Sequence, residues 1–268
     1  MESLPLPTSL TSANERGHRT IFTIEPLYPG YGMTVGNALR RVLLSSLPGA
    51  AITAVAINGA THEFSTIPYV KEDVVDILLN LKLVRMKLHT EEPVTVRLEA
   101  SGVGVVTAGQ ITGNADVEVV NPKQHVASLT DKAAKLVLDL TVAKGRGYIP
   151  VEAREKERLP LGTIALDAIY TPVKNVNFTT ENVRVGQMTN FDKLMIDIST
   201  DGSITPVEAL QQAAVILDDH FQFIIKSEVT MDKDDSSVEA EGQVNDAAEP
   251  ETPKKKTRRK KADESTEA

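Results

Sequence analysis

The sequence predicts an α+β protein with a mainly-β middle and helices near both ends. Two segments, residues 30–49 and 205–225, repeat apolar residues at the spacing of an amphipathic helix. The chain between them contains many β-branched residues that alternate with polar ones, which is the pattern of half-buried strands. Neither period continues past Met231, so we expect a disordered tail over residues 231–268.

The composition excludes several classes of protein. The 268 residues include no cysteine, which excludes disulfides, thiolate metal sites and cysteine nucleophiles. No apolar run is long enough to cross a bilayer, and the N-terminus does not have the pattern of a secretory signal, so we expect a cytoplasmic protein without membrane contact. The formal net charge of -8 means that any contact with DNA has to be local.

The N-terminal part is predicted as a strand, a helix and a hairpin. Residues 1–15 are polar and contain proline, which is typical of a loose arm, whereas residues 19–25 alternate as a half-buried strand. After the helix, residues 51–57 form a second strand. Asn58-Gly59 is typical of a type I′ turn, and it predicts a returning strand over residues 60–66.

The helix within residues 30–49 has an unusual outer face. On a helical wheel its core face consists of Val35, Ala38, Leu39, Val42 and Leu43. Arg40 and Arg41 point away from that face, and Leu44 falls between them. One interpretation is a solvated face with a single exposed leucine. The other is a contact patch, because an apolar anchor flanked by arginines is a composition that protein interfaces favour.

The middle of the chain is predicted to contain one helix among many strands. The helix covers residues 72–82, with Glu72 and Asp73 at its positive end. The predicted strands are residues 83–88, 94–100, 161–167, 173–178 and 191–200, with a loop-heavy β region over residues 101–147 and a charged loop over residues 151–160.

The last helix is predicted to begin at Thr205, where Thr205-Pro206-Val207-Glu208 combines a capping box with proline at the first helical position. Its apolar residues cover about 200° of the wheel, well beyond the roughly 100° that packing against one surface needs. Two surfaces must therefore cover the helix. The second surface is either another part of the chain or a second copy, and we favour the copy because two-fold dimers are the commonest oligomers.

The tail contains a strongly basic run, in which Lys254, Lys255, Lys256, Arg258, Arg259, Lys260 and Lys261 fill seven of eight positions. These residues are candidates for non-specific contact with DNA phosphates, which depends steeply on salt. The alternative is a solubilising end that pairs loosely with the acidic run before it.

The sequence contains no recognisable catalytic or cofactor site. The five histidines are scattered, and none has metal-ligand spacing to another. No Walker loop or Gly-x-Ser-x-Gly motif is present. We therefore expect no metal, no cofactor and no active site on this chain, and we interpret it as a binding or scaffolding protein.

Several motifs resemble the alpha subunit of bacterial DNA-directed RNA polymerase. They are GNALRRVLLSSLPG from Gly36, HEFSTI from His62, EDVVDILLNLK from Glu72, LTDKAAKLVLDL, KGRGYIP, TPVKNV, and FDKLMIDISTDGSITPVEALQQAAVIL from Phe191. The resemblance covers residues 15–228 in order. It implies a non-catalytic subunit of a nucleotidyltransferase that acts in DNA-templated transcription.

The resemblance also implies a domain organisation. Residues 1–48 and 171–230 would form a discontinuous dimerisation domain, made of an antiparallel sheet and two helices, with residues 49–170 inserted as a mainly-β domain. The implied homodimer interface consists of Val35, Leu39, Val42, Leu210, Ala213, Leu217, Phe221 and Ile224.

Partners and contact residues follow from the same resemblance. The dimer would be the assembly platform for the beta and beta-prime subunits, with omega and sigma in the complex and DNA reached through it. The residues implied for the beta subunit are Arg40, Arg41, Leu44, His62, Glu63, Ser65 and Thr66, and those for the beta-prime subunit are Lys82 and Leu166.

The sequence departs from the family pattern at its C-terminus. Family members continue into a small helical domain that binds upstream promoter DNA, whereas the residues after the last helix are here few and polar. We hypothesise that the basic run substitutes crudely for that domain. Two alternatives remain open: an enzyme in its own right, and a free-standing homodimeric nucleic-acid-binding protein that uses the basic tail.

Overall fold

The computed structural model describes residues 4–113, 115–154, 160 and 162–227. Its α-helices are α1 (Tyr31–Ser45), α2 (Val74–Lys82) and α3 (Pro206–Lys226), and two short 3₁₀ turns cover Ala108–Gln110 and Val151–Arg154. Its strands are β1 (Ser9–Arg16), β2 (Arg19–Leu27), β3 (Pro48–Ile57), β4 (Met86–Leu88), β5 (Val94–Ser101), β6 (Gly104–Thr107), β7 (Ile111–Thr112), β8 (Val117–Val119), β9 (His125–Leu129), β10 (Lys135–Arg146), β11 (Tyr148–Ile149), β12 (Thr163–Ala165), β13 (Ala168–Ile169), β14 (Val173–Val185) and β15 (Met188–Thr200). The predicted α+β class is confirmed.

An antiparallel sheet of four strands carries the two long helices. Its order is β1-β2-β15-β14, so strands from both ends of the sequence lie side by side. Alternation along β15 buries Leu194, Ile196 and Ile198 on one face. Leu43 of α1 and Ala213 of α3 belong to the same apolar core, so the sheet fixes both helices.

A second sheet occupies the middle of the sequence. Six of its strands follow the order β7-β5-β10-β3-β4-β8, and β12 also pairs with β3. The long central strand β10 alternates regularly, burying Leu136, Leu138 and Leu140. Ile77 and Leu81 of α2 complete this second core, which shares no residue with the first.

A third, small cluster consists of Ala51, Ala168 and Tyr170, and the Tyr170 ring is its largest member. Gly49 of β3 and Gly145 of β10 are partners in the strand register. The Tyr170 ring lies against Gly145 and its carbonyl oxygen against Gly49, so the pair of glycines makes the room that the buried tyrosine needs. An ion pair of 3.8 Å between Arg85 Nε and Asp201 Oδ2 also joins the part of the chain that forms the second sheet to the part that forms the four-stranded sheet.

Two predictions about the N-terminal part are wrong. Residues 9–15 of the predicted loose arm belong to the edge strand β1, whose pairing with β2 rests on main-chain hydrogen bonds rather than on an apolar pattern. Residues 60–66 do not return as a strand, although a turn follows Asn58 and Ala60 N–H donates to the Ile57 carbonyl at 3.2 Å. The reason is topological: β10 pairs along one edge of β3, and β4 and β12 pair along the other.

The other element predictions agree with the structure apart from their bounds. Of the predicted strand over residues 83–88 only β4 forms, and the region over residues 101–147 contains five strands, including the long β10. The capping box at Thr205 is present, with Glu208 N–H donating to Thr205 Oγ1 at 3.2 Å. The tail over residues 231–268 and much of the loop over residues 151–160 lie outside the described residues.

Glu72, predicted at the positive end of a helix, lies just before the N-cap of α2 and is held there by hydrogen bonds. Its carboxylate reaches β9, accepting hydrogen bonds from Ser128 N–H at 2.6 Å and Ser128 Oγ at 2.8 Å, and it lies 3.1 Å from His125 Nε2. Burial by itself raises the pKa of Glu72, but these hydrogen bonds outweigh it and hold the pKa below its ordinary value.

Replacing Glu72 by glutamine is therefore expected to destabilise the protein near neutral pH by about 1–3 kcal/mol, the range for hydrogen bonds to a charged group. Because the folded pKa is lowered, the contribution of the carboxylate is present above the unfolded value and is lost as pH falls through the folded value. The difference between wild type and Glu72→Gln in denaturant melts should shrink toward acid pH. The exposed Glu118→Gln variant is the control, and a pH-independent difference would contradict this account.

Candidate functional site

The outer face of α1 is an exposed patch of two arginines and a leucine. Arg40 and Arg41 are exposed and Leu44 is 36% exposed, whereas Leu39 and Leu43 on the opposite face are buried. Among the described residues, no carboxylate forms an ion pair with either guanidinium. The patch formed by Arg40, Arg41 and Leu44 therefore offers two uncompensated charges and an apolar side chain to a partner.

Both ends of α1 are fixed to the rest of the fold. At its start, Gly30 N–H and Gly32 N–H donate to Asp192 Oδ2 at 2.9 and 3.0 Å, which places an anion at the positive helix end. At its end, the Thr171 hydroxyl donates to the Leu44 carbonyl at 3.2 Å. The patch is thus held on a helix whose orientation is set before any partner binds.

A loop that the sequence analysis did not connect with α1 lies beside the patch. A Cβ on Gly147, between β10 and β11, would lie 3.3 Å from the Ser45 carbonyl oxygen. Arg146 and Tyr148 on either side of Gly147 are exposed. They come from about a hundred residues further along the chain, so only the pairing of β10 with β3 could have revealed this proximity.

The 62–66 segment is a turn that connects β3 to α2. His62, Glu63 and Thr66 are exposed and Ser65 is half-buried, with Ser65 Oγ 3.2 Å from His62 Nδ1. Phe64, which was not predicted as a contact residue, is 77% exposed. The position of an aromatic residue between predicted contact residues was the signal available in the sequence.

Lys82 and Leu166 line the same open groove beside α2. Lys82 Nζ donates to Asp167 Oδ2 at 2.8 Å, and Val151 N–H donates to Asp167 Oδ1 at 3.0 Å. The Lys82 ammonium, followed by the Val151 hydrogen bond, holds the pKa of Asp167 below its ordinary value. Leu166 is buried, so it can contribute to a contact only from the floor of a groove.

The residues predicted for the dimer interface fall into three groups. Leu39, Leu210 and Ala213 are buried in the chain's own core, and Val35, Val42 and Leu217 are half-buried. Phe221 and Ile224 are 57% and 67% exposed. Only this last pair is largely free to meet a second copy.

The end of α3 extends beyond its own core. Leu217 is the last side chain of the helix that packs against the core, and residues 218–226, here called the α3 overhang, are all exposed. The overhang includes Phe223 and Ile225, each 74% exposed, which the sequence analysis placed on the wheel but not in the interface. Four large apolar side chains on two helical turns are far more than scattered exposure accounts for.

The part of the chain that the structure describes offers neither a metal site nor a membrane-spanning helix. There, no group of three or more histidine, aspartate and glutamate residues is placed to hold a metal ion. None of the helices in the same part combines the length and apolarity that crossing a membrane requires. The basic run from Lys254 to Lys261 lies outside the described residues.

Comparison with known proteins identifies the family. A family model described as the RNA polymerase Rpb3/RpoA insert domain matches residues 55–171. The DNA-directed RNA polymerase subunit alpha of Alkaliphilus oremlandii is 54% identical over 204 residues, covering 76% of this chain and 64% of that protein. The subunits alpha of Symbiobacterium thermophilum and Moorella thermoacetica are 50% and 49% identical, over 81% and 84% of this chain and 68% and 72% of their own lengths.

The chain thus spans about two thirds of the length of these relatives. Identity near one half over most of the chain is far above what unrelated sequences share. The chain belongs to the family of DNA-directed RNA polymerase alpha subunits.

Proposed function

We propose that the chain is a non-catalytic polymerase subunit that forms a homodimer, on which the beta and beta-prime subunits assemble. The observation that carries this proposal is the set of unpaired apolar and cationic side chains on α1 and α3. A single chain of an assembly subunit has to leave such surfaces open, because its partners cover them.

Dimerisation is proposed to use the α3 overhang. Phe221 and Ile224 would contact the second copy directly, together with Ile225, because these side chains share one helical stripe with Leu217. Val35 and Val42 would lie at the margin of the contact. The buried Leu39, Leu210 and Ala213 would support it from behind by fixing the helices.

The beta subunit is proposed to bind the Arg40–Arg41–Leu44 patch. Because neither arginine has a described carboxylate partner, binding would break no ion pair, and acceptors on the partner would offset the cost of removing the guanidinium groups from water. The turn over residues 62–66 is the proposed second contact. The other copy would turn its corresponding surface toward the beta-prime subunit, with Lys82 and Leu166 involved.

The remaining roles follow from this arrangement. Omega and sigma belong to the same complex, the nucleotidyl transfer takes place on the large subunits, and promoter DNA is reached through the complex in the cytoplasm. The basic run over residues 254–261 is proposed as an additional, sequence-independent contact with DNA phosphates.

The test is capture of the large subunits by the tagged chain and by its Arg40→Ala/Arg41→Ala variant. The wild-type chain should elute as a dimer in light scattering and should capture two very large polypeptides from its native lysate. The variant should remain a folded dimer but capture the beta subunit at least about tenfold less well, because truncating arginines at an interface centre commonly costs more than 1.4 kcal/mol.

The matched control removes the same charge elsewhere: Lys123→Ala/Lys132→Ala, both exposed, should capture normally. Normal capture by the arginine variant would show that the patch is assigned wrongly. A wild-type dimer without large partners that binds DNA tightly would instead favour the free-standing nucleic-acid-binding protein.

A further inference from the structure

The chain passes twice between the part that contains the four-stranded sheet with α1 and α3 and the part that contains the second sheet with α2. The first passage leads from α1 into β3 through residues 46–49, and the second leads from β13 to β14 through residues 170–172. The two passages lie against each other, because a Cβ on Gly49 would overlap the Tyr170 carbonyl oxygen. Together they are here called the hinge, since a few residues at the ends of elements are where one part of a protein turns against another.

Apolar packing between the two parts is interrupted beside the hinge. Among the described residues, the two large cores have no member in common. An open cavity of about 130 Å³ lies where α3 begins, and it is lined by Met86 from one part and by Ile204 and Gln212 from the other. A contact that contains such a cavity lacks the close packing that fixes an angle between elements. The angle between the two parts therefore depends on the contacts at the hinge itself.

The Arg85–Asp201 ion pair closes over the second passage of the hinge. Arg85 Nη1 donates to the Ile169 carbonyl at 3.4 Å, just before the passage. Asp201 N–H donates to the Pro172 carbonyl at 2.9 Å, just after it. Arg85 Nε and Asp201 Oδ2 lie 3.8 Å apart, and their side chains are only 17% and 6% exposed. The two charges thus attract each other, largely shielded from water, across the point where the chain changes from one part to the other.

Both members of the pair are held firmly within their own part. Arg85 N–H donates to Asn121 Oδ1 at 2.8 Å, and Val120 N–H donates to the Arg85 carbonyl at 2.9 Å. Asp201 Oδ1 accepts hydrogen bonds from Ser203 N–H at 2.9 Å and from Ser203 Oγ at 2.6 Å. The other ion pairs between described residues each lie within one part. A rotation about the hinge therefore has to separate Arg85 from Asp201.

We propose that Arg85 and Asp201 are positioning residues, which hold the second sheet at one angle to α1 so that a large subunit meets two surfaces at a fixed separation. The inference rests on the proposed function and extends it. The Arg40–Arg41–Leu44 patch lies on α1, whereas the turn over residues 62–66 belongs to the other part. A partner that binds both surfaces gains affinity when their separation is set beforehand, because less conformational freedom is then lost on binding.

The test removes both charges together with Arg85→Met/Asp201→Asn. The side chains keep similar volumes, neither charge is left buried without its partner, and the asparagine oxygen still accepts the Ser203 hydrogen bonds. The matched control is Arg97→Met/Asp139→Asn, the same two substitutions at an ion pair of 2.7 Å between β5 and β10. That pair lies entirely within the second sheet, so its loss leaves the hinge unchanged.

The angle is measured as a distance between two spin labels by double electron–electron resonance. The chain contains no cysteine, so Lys132→Cys and Glu181→Cys place one label on an exposed site of each part. Each labelled copy is mixed with an excess of unlabelled chain, so that only distances within one copy are recorded. Wild type should give a narrow distribution, and Arg85→Met/Asp201→Asn one at least about twice as broad. The Arg97→Met/Asp139→Asn control should remain narrow.

Two further variants separate charge from packing. Arg85→Lys keeps the positive charge and should keep the distribution narrow, because a contact of 3.8 Å depends on attraction rather than on the paired hydrogen bonds that only arginine makes. Asp201→Asn alone is the milder change should the double variant not fold, and it should broaden the distribution in the same direction. An unchanged distribution in both neutralised proteins overturns the inference.

Capture of the large subunits connects the angle with assembly. The Arg85→Met/Asp201→Asn protein should capture the beta subunit several-fold less well than wild type, with an unchanged molar mass in light scattering, whereas Arg85→Lys should capture normally. Normal capture despite a broadened distribution would overturn the positioning role. Failure of the wild-type chain to capture any large subunit would overturn the proposed function instead, and the label distances would still decide whether the ion pair sets the angle.

Discussion

Replacing Phe221 and Ile224 by aspartate is expected to convert the proposed homodimer into a folded monomer. Both side chains are exposed in the single chain, so the substitutions remove nothing from its core. In the dimer each copy would bury both side chains, four in all, each worth about 1.5–3 kcal/mol, so losing them corresponds to about 6 kcal/mol or more, which is over ~10⁴-fold in the dissociation constant. The buried carboxylates would weaken the contact further.

Light scattering over a range of concentrations measures this effect directly, and far-UV circular dichroism checks the fold. The control is Val103→Asp/Val105→Asp, which places the same charges on two exposed valines at β6. That control should remain dimeric. A Phe221→Asp/Ile224→Asp protein that stays dimeric at micromolar concentration would exclude the α3 overhang from the interface.

Replacing Gly49 by alanine is expected to have the largest effect on folding. An alanine Cβ at this position would overlap the carbonyl oxygen of Tyr170, and a backbone atom cannot move aside as a flexible side chain can. The strand partner Gly145 is constrained too, since a Cβ there would lie 2.6 Å from the Tyr170 ring. We expect Gly49→Ala to lose at least about 3 kcal/mol of folding free energy, at the upper end of the effects of overpacking.

The matched control is Gly104→Ala in β6, where an added Cβ meets no atom within 4 Å and φ is not positive. Denaturant midpoints of the two variants should differ widely, with Gly104→Ala close to wild type. If Gly49→Ala unfolds within about 0.5 kcal/mol of wild type, the spread of ordinary surface substitutions, the role of the glycine pair in seating Tyr170 is refuted.

The sequence predicted those elements whose signals are local. The start of α3 was predicted because Thr205 and Glu208 form a cap from residues three apart, and β15 was predicted because it alternates without interruption. The strand over residues 60–66 was predicted wrongly because a turn signal at Asn58-Gly59 cannot reveal that both edges of β3 are already occupied. The edge strand β1 was missed because its stability comes from main-chain pairing, which leaves no apolar pattern.

The candidate sites also divide into those that a local sequence pattern predicts and those that only the fold reveals. The exposure of Arg40, Arg41 and Leu44 follows from the helical period, which the sequence contains. The groove beside α2 could not be predicted, because Phe64, Leu79 and Leu166 come from a turn, a helix and a later segment that only the fold brings together. The helical wheel of α3 indicated that two surfaces must cover the helix. It did not indicate that the last turns of α3 extend past the core of their own chain.

The length of α3 has a consequence for the lifetime of unpaired chains in the cell. Without a second copy, the overhang leaves Phe221, Phe223, Ile224 and Ile225 in water on a regular helix. Chaperones and proteases recognise exposed apolar segments of this kind, and the same segments promote aggregation. Surplus unpaired chains are therefore expected to be removed, whereas paired chains persist, so the survival of each newly made copy depends on the concentration of the others.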